Sequence, residues 1–168
     1  LALGQTGLND FGNQINPAFR CDLRVALFHH RGDGRNGVAL NDFGVFYQVN
    51  QKMEHAEKSL TESLVIYRRL TEKKLAAFLP HEASTLIRLG NFYRINHKMA
   101  EAETAYNEGL NIYRQLAAQN PDAFVSYMAA ALNDLGAFYY ANKMMEKAEK
   151  AYQEDLSIIR QLAAQKPD

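Results

Sequence analysis

The sequence predicts an all-α protein, specifically an α-solenoid of stacked antiparallel helix pairs. The segment "LGNFY" has near-copies, "FGVFY" and "LGAFY", so that the glycines Gly44, Gly90 and Gly136 are 46 residues apart. Residues 86–122 match residues 132–168 at 22 of 37 positions without a gap. Apolar residues recur at steps of three or four in the copies, and strand-like alternation is absent from the repeated part. A fixed period of this kind indicates stacked repeats that support one another.

Further residues recur with the same period. They are an alanine, a glutamate, a leucine and an arginine of each copy: Ala56, Ala102 and Ala148; Glu57, Glu103 and Glu149; Leu64, Leu110 and Leu156; Arg68, Arg114 and Arg160. The repeated unit is therefore real, and we divide the chain into a segment 1–36 and three units at about 37–82, 83–128 and 129–168.

Residues 1–36 do not continue the register. Their expected structure is a degenerate helix from about Pro17 to His30 followed by the turn "RGDGRNG", and the segment would cap the first unit as end repeats must. A competing alignment exists because "LNDFG" occurs both near the start and at Gly44. The chain does not begin with Met, so we expect it to be a fragment of a longer protein.

Each unit reads as two helices joined by a short polar link, such as "INHKM" or "ANKMM", and so short a link makes the helices antiparallel. Pro121 suits the first turn of a helix, and Asn120 before it is a candidate cap.

The recurrent glycines need a packing explanation, because glycine within a helix costs about 1 kcal/mol relative to alanine. Close approach of the second helix would compensate for this cost. The recurrent alanines are the expected partners there, and large neighbours would fill the space between units: Tyr47, Tyr93 and Tyr139.

Gly, Tyr, Ala and bulky residues at these offsets resemble the tetratricopeptide repeat. The resemblance covers residues 37–168, about three units. The matching positions lie four before the glycine and three, twelve and sixteen after it: Leu40, Leu86 and Leu132; Tyr47, Tyr93 and Tyr139; Ala56, Ala102 and Ala148; Leu60, Tyr106 and Tyr152. The period of 46 exceeds the usual length of about 34 residues. The chain is therefore similar to long-repeat arrays such as the kinesin light chain type and bacterial signalling relatives.

The resemblance implies a concave groove that binds a peptide through the first helix of each unit. Family contact positions fall on nine residues: Asn41, Val45 and Gln48; Ile87, Asn91 and Arg94; Asn133, Ala137 and Tyr140. An asparagine amide can bond a peptide backbone, and Arg94 could pair with a carboxylate. The alternative is that these residues only solvate the inner face. The lysines with which the family clamps chaperone tails are missing, so we do not expect that ligand.

No convincing catalytic constellation exists in the sequence. His29, His30 and Asp33 could be imagined as metal ligands, but adjacent histidines of a helix point about 100° apart. Cys21, the single cysteine, excludes an internal disulfide and has no evident activating base. Three histidines do not recur with the repeat and are expected on the surface: His55, His81 and His97. Charged residues of the second helices are expected to form a solvated face with local pairing: Glu103, Glu146, Lys147 and Glu149. The remaining short signals are weak: an RGD tripeptide, and a "DGRNG" stretch that departs from a calcium loop.

The composition of the chain argues against two classes of partner, nucleic acids and membranes. Lys plus Arg and Asp plus Glu both number 19, and a nucleic-acid binder would usually carry a basic excess. No apolar run approaches the roughly 20 residues that cross a bilayer. With one cysteine, a reducing cytoplasm is the expected compartment.

We therefore expect a non-catalytic scaffold that binds protein or peptide and uses no cofactor, nucleic acid or membrane. The apolar side of the last helix, 145–165, would face water unless the chain continues or this face mediates self-association. Two other functions stay open: a regulatory sensor array in a larger signalling protein, and a metal-dependent enzyme fragment using the N-terminal histidines.

Overall fold

The computed structural model describes residues 34–73 and 76–165, which form three antiparallel helix pairs stacked in chain order. The described part contains no β-strand, so the predicted all-α solenoid is confirmed. We call the pairs α1–α2, α3–α4 and α5–α6 units 1, 2 and 3. The helices are α1 (Gly34–Val49), α2 (Met53–Glu72), α3 (Leu79–Ile95), α4 (Met99–Gln119), α5 (Pro121–Ala141) and α6 (Met145–Gln165), with a short 3₁₀ helix at Ala76–Phe78 before α3.

The helices begin earlier than the unit limits placed on the sequence. Positions 83 and 129 lie within α3 and α5, and α1 begins at Gly34, inside the segment expected to form a cap. The second half of the expected turn "RGDGRNG" is therefore helical. The helix expected from Pro17 to His30 lies outside the described residues, as do Cys21 and the RGD tripeptide.

A single residue, Asn120, separates α4 from α5. Pro121 occupies the first turn of α5 and Asn120 its N-cap position, as predicted, but the Asn120 side chain does not make the expected capping hydrogen bond. The backbone N–H of Asn120 instead donates to the Leu116 carbonyl oxygen at 2.8 Å and ends α4.

The link within each unit has the same geometry three times. An asparagine side chain donates to the last turn of the first helix, as Asn96 does to the Phe92 carbonyl oxygen at 2.8 Å. The next residue has a left-handed backbone, with φ near 58° at His97. The equivalent residues behave alike: Asn50 and Asn142 donate to Phe46 and Phe138, and Gln51 and Lys143 are left-handed. This turn reverses the chain and makes each pair antiparallel.

The recurrent glycines lie at equivalent helix crossings, but their partner differs from the expected one. A Cβ on Gly90 would stand 2.7 Å from the ring of Tyr106, and a Cβ on Gly136 would stand 2.7 Å from Tyr152. Gly44 meets Leu60 in the same way. The glycines therefore admit a bulky side chain of the second helix. The expected close approach to the recurrent alanines was wrong, because the bulky residue one turn further along fills the space.

The core lies between the units. Leu60 and Leu64 of α2 pack with Leu86, Leu89 and Phe92 of α3 in one buried cluster. A second cluster joins α4 to α5 and α6. Each unit thus shares its buried core with the neighbouring unit, as in solenoids generally.

Candidate functional site

All nine residues assigned to the groove lie on the first helices α1, α3 and α5. Cα atoms of α1 and α3, and of α3 and α5, approach within 8 Å. On the other side, a cavity of about 340 Å³ lies between α2 and α4, above Leu86, Leu89 and Tyr93 of α3. The first helices are therefore the inner layer of the stack.

The Asn91 side chain on α3 connects this helix to two others through hydrogen bonds. Its Oδ1 accepts a hydrogen bond from the Tyr106 hydroxyl of α4 at 2.8 Å, and its Nδ2 donates to Asp134 Oδ2 of α5 at 3.2 Å. Tyr106 is fully buried, so this bond satisfies a hydroxyl that water does not reach. The amide is half-buried and already engaged at both ends. Its first role is to join units 2 and 3.

Arg94 belongs to the same polar cluster. Burial raises the pKa of Tyr106 to about 12, and the nearby Arg94 guanidinium opposes part of that rise. Asp134 acts in the other direction and supports the rise. Arg94, Tyr106, Asn91 and Asp134 therefore form one charge-balanced group on the inner layer.

Two other groove candidates are turned toward the protein. Ile87 Cδ1 and Cγ1 pack against Gly109 of α4, so this side chain fills the space within unit 2. Asn41 is half-buried on α1, and its Oδ1 is buried without a hydrogen-bond partner in the described structure. Such an acceptor costs about 1–3 kcal/mol until a donor reaches it.

The open part of the candidate site is on α5. Asn133, Ala137 and Tyr140 are exposed, and their spacing of four and three residues places them in one stripe. Tyr140 is 63% exposed, although it is a large aromatic side chain. Gln48 and Val45 on α1 are half-buried. The structure thus presents the unit 3 candidates to solvent and uses the unit 2 candidates partly for packing.

The residues considered for metal or acid–base chemistry do not assemble in the described part of the chain. Within residues 34–73 and 76–165, no three His, Cys, Asp or Glu side chains could hold one ion. His29, His30 and Asp33 lie outside this part. His55, His81 and His97 are exposed, as predicted. Among the described helices, none is both long and apolar enough to cross a membrane.

The charges of the second helices pair between units, which sequence reasoning missed. Arg114 of α4 binds both carboxylate oxygens of Glu154 of α6, and Arg68 of α2 pairs with Glu108 of α4. Lys147 Nζ lies 2.7 Å from Glu103 Oε1, which also accepts from the Tyr139 hydroxyl at 3.0 Å. Lys147 is the main reason that the pKa of Glu103 is lowered. These side chains are exposed or half-buried, as expected of a solvated face, but the expected local pairing was wrong for Glu103 and Lys147. The recurrence of Arg and Glu every 46 residues was the available signal.

Comparison with known proteins supports the fold. No protein-family model matches the sequence, and no curated protein matches it significantly. The crystal structure of BtubC (BKLC) from P. vanneervenii is similar, with a TM-score of 0.70 and 21% sequence identity. The match covers 82% of this chain and 52% of BtubC, so the chain spans about half the length of that structure.

Proposed function

We propose that the chain is a tetratricopeptide-like array that binds a protein or peptide segment on its inner layer and catalyses no reaction. The repeat period, the helix pairs and the likeness of fold to BtubC support the assignment to this type of array. The observation that carries the binding proposal is the exposed α5 stripe of Asn133, Ala137 and Tyr140. Exposed tyrosines are enriched where proteins bind one another, because one side chain supplies both apolar area and a hydroxyl.

The chemistry of the inner layer favours a ligand segment with an acidic group and an apolar side chain. Tyr140 offers the apolar contact, Asn133 offers an amide to a peptide backbone, and half-buried Arg94 offers a cation. Shape and hydrogen bonding, rather than net charge, would provide the affinity, since the chain has equal numbers of acidic and basic residues.

A peptide-display selection on the purified full chain tests the proposal. A selected peptide should lose about tenfold or more in affinity for Tyr140→Ala, as expected for a central aromatic contact. Arg94→Lys should weaken binding of acidic peptides less than Arg94→Ala, because lysine keeps the charge.

The matched control is Tyr127→Ala. Tyr127 is also on α5 and 57% exposed, but 13 residues away it points to the opposite side, where it stacks on Tyr113. Equal losses for the two tyrosine variants, or selected peptides that bind both variants as well as the unaltered chain, would contradict the groove assignment.

A further inference from the structure

The last helix exposes the face that the earlier second helices bury. In α4, Tyr106, Leu110 and Tyr113 are buried in the cluster that joins α4 to unit 3. The residues one period earlier on α2 are also buried: Leu60, Leu64 and Tyr67. Their equivalents on α6 are 37%, 46% and 49% exposed: Tyr152, Leu156 and Ile159. This end of the stack therefore exposes the kind of surface that is buried at an internal junction, the contact between two consecutive units.

The first helix exposes the other half of such a junction. Leu86, Leu89 and Phe92 of α3 are buried in the cluster that α2 shares with α3, and their equivalents on α5 are also buried. On α1 the same positions are less buried: Leu40 and Phe43 are half-buried and Phe46 is 37% exposed. The two ends of the described part therefore match each other in the way that consecutive units do.

The charges at the two ends are complementary in the same register. Internal junctions pair an arginine with a glutamate 40 residues later: Arg68 with Glu108, and Arg114 with Glu154. Arg160 on α6 is the third such arginine, and Glu62 on α2 is the glutamate one period before Glu108. Both are exposed and form no ion pair with described residues.

A second pair follows the same logic. Lys98, at the start of α4, pairs with Glu57 of α2 at 2.8 Å. Lys52 stands in the equivalent place at the start of α2 and is exposed. Glu149, one further period along from Glu57 and Glu103, is exposed on α6 and accepts a hydrogen bond only from Gln153 of its own helix within the described structure.

We propose that a second copy of this chain stacks head to tail on the first, with its unit 1 docked on unit 3. Arg160 would pair with the second copy's Glu62, and Glu149 with the second copy's Lys52. Tyr152, Leu156 and Ile159 would then be covered as their counterparts in α4 are. The contact is heterologous, because it joins the unit 3 face of one copy to the unit 1 face of the next. Each added copy leaves one such face uncovered, so further copies extend the assembly into an open filament. This surface is separate from the proposed groove.

Charge exchange tests the pairing on the full chain. Arg160→Glu places two carboxylates opposite each other, and Glu62→Arg places two guanidinium groups opposite each other. Each variant alone should associate about tenfold more weakly in sedimentation velocity than the unaltered chain. An equimolar mixture of the two variants should recover the association, because every junction between unlike variants again pairs opposite charges.

An apolar variant gives an independent measurement. Leu156→Asp should abolish the association, whereas Val65→Asp should leave it unchanged, because Val65 is 51% exposed on α2 at a position that no internal junction uses. A chain that stays monomeric throughout the concentration series overturns the proposal. So does an association that Leu156→Asp weakens but Glu62→Arg does not, since that result indicates two α6 faces in a symmetric dimer.

Discussion

Gly90 on α3 packs against the ring of Tyr106 on α4, and the ring occupies the place where the Cβ of any other residue would stand. The fully buried Tyr106 is also held by its hydrogen bond to Asn91, so its ring cannot shift without disturbing buried contacts or that bond. Gly136 stands at the same distance from Tyr152, which is 37% exposed. The two glycines therefore share a contact but differ in how freely the contacting ring can shift.

This difference predicts unequal effects of the same substitution. Gly90→Ala should lower the free energy of unfolding by about 1–2 kcal/mol, because overpacking exceeds the gain in helix propensity. Gly136→Ala should cost less or be neutral, since Tyr152 can swing toward solvent. Urea denaturation of both variants measures the difference. A larger loss for Gly136→Ala than for Gly90→Ala would contradict the packing explanation.

The left-handed residue in each link predicts a stabilising substitution. His97 has φ near 58°, a conformation that costs an ordinary residue about 1–2 kcal/mol and glycine almost nothing. His97→Gly should therefore raise the midpoint of thermal unfolding, with a gain of up to about 1 kcal/mol after the added freedom of the unfolded chain is subtracted. His55→Gly, at an exposed position within α2, is the control and should destabilise by about 1 kcal/mol. Shifts of the same sign would show that backbone conformation does not decide the outcome.

The Arg114–Glu154 pair predicts a measurable coupling between units 2 and 3. Arg114 Nη2 lies 2.7 Å and 2.9 Å from the two carboxylate oxygens, although both side chains are partly exposed. A double-mutant cycle with alanine at both positions should give about 0.5–1 kcal/mol, decreasing in 1 M salt because the screening length there is about 3 Å. Arg160→Ala, at the equivalent position of α6, should change the stability of the dilute chain little. A coupling that is unaffected by salt would mean that packing, rather than charge, links the units.

Buried tyrosines predict a loss of stability at alkaline pH. Burial, with Asp42 nearby, raises the pKa of Tyr67 from 10.0 to about 12. The folded state therefore holds this proton more tightly than the unfolded state, so the contribution is complete below pH 10 and is lost as the pH rises toward 12. Tyr67→Phe should reduce the alkaline fall in unfolding free energy by about 2 kcal/mol.

The comparison requires unfolding curves of both proteins across this range. Below about pH 9 the two curves should run parallel, because the phenol is protonated in either state. Tyr106, whose pKa also rises to about 12, should leave a remaining alkaline slope in Tyr67→Phe. Identical slopes for both proteins above pH 10 would show that Tyr67 ionises freely in the fold.

Much of the architecture follows from local patterns in the chain. The spacing of Gly44, Gly90 and Gly136, with apolar residues every three or four positions, predicted stacked helix pairs, and the structure contains them. Pro121 predicted a helix start in the right place, since its ring suits the first turn. His55, His81 and His97 were expected on the surface and are exposed there. These properties depend on which side of one helix a residue faces, and that side can be read from the periodicity of the sequence.

The partner of each side chain was decided only by the tertiary structure. Gly90 meets Tyr106 instead of the smaller Ala102, and the Asn91 side chain forms hydrogen bonds with Tyr106 and Asp134. Glu103 pairs with Lys147, 44 residues away, although closer charges exist along the chain. Such choices depend on the crossing angle and axial offset of neighbouring helices, which shift a contact by a full turn. Those two quantities arise from how whole surfaces interlock, so no short stretch of sequence contains them.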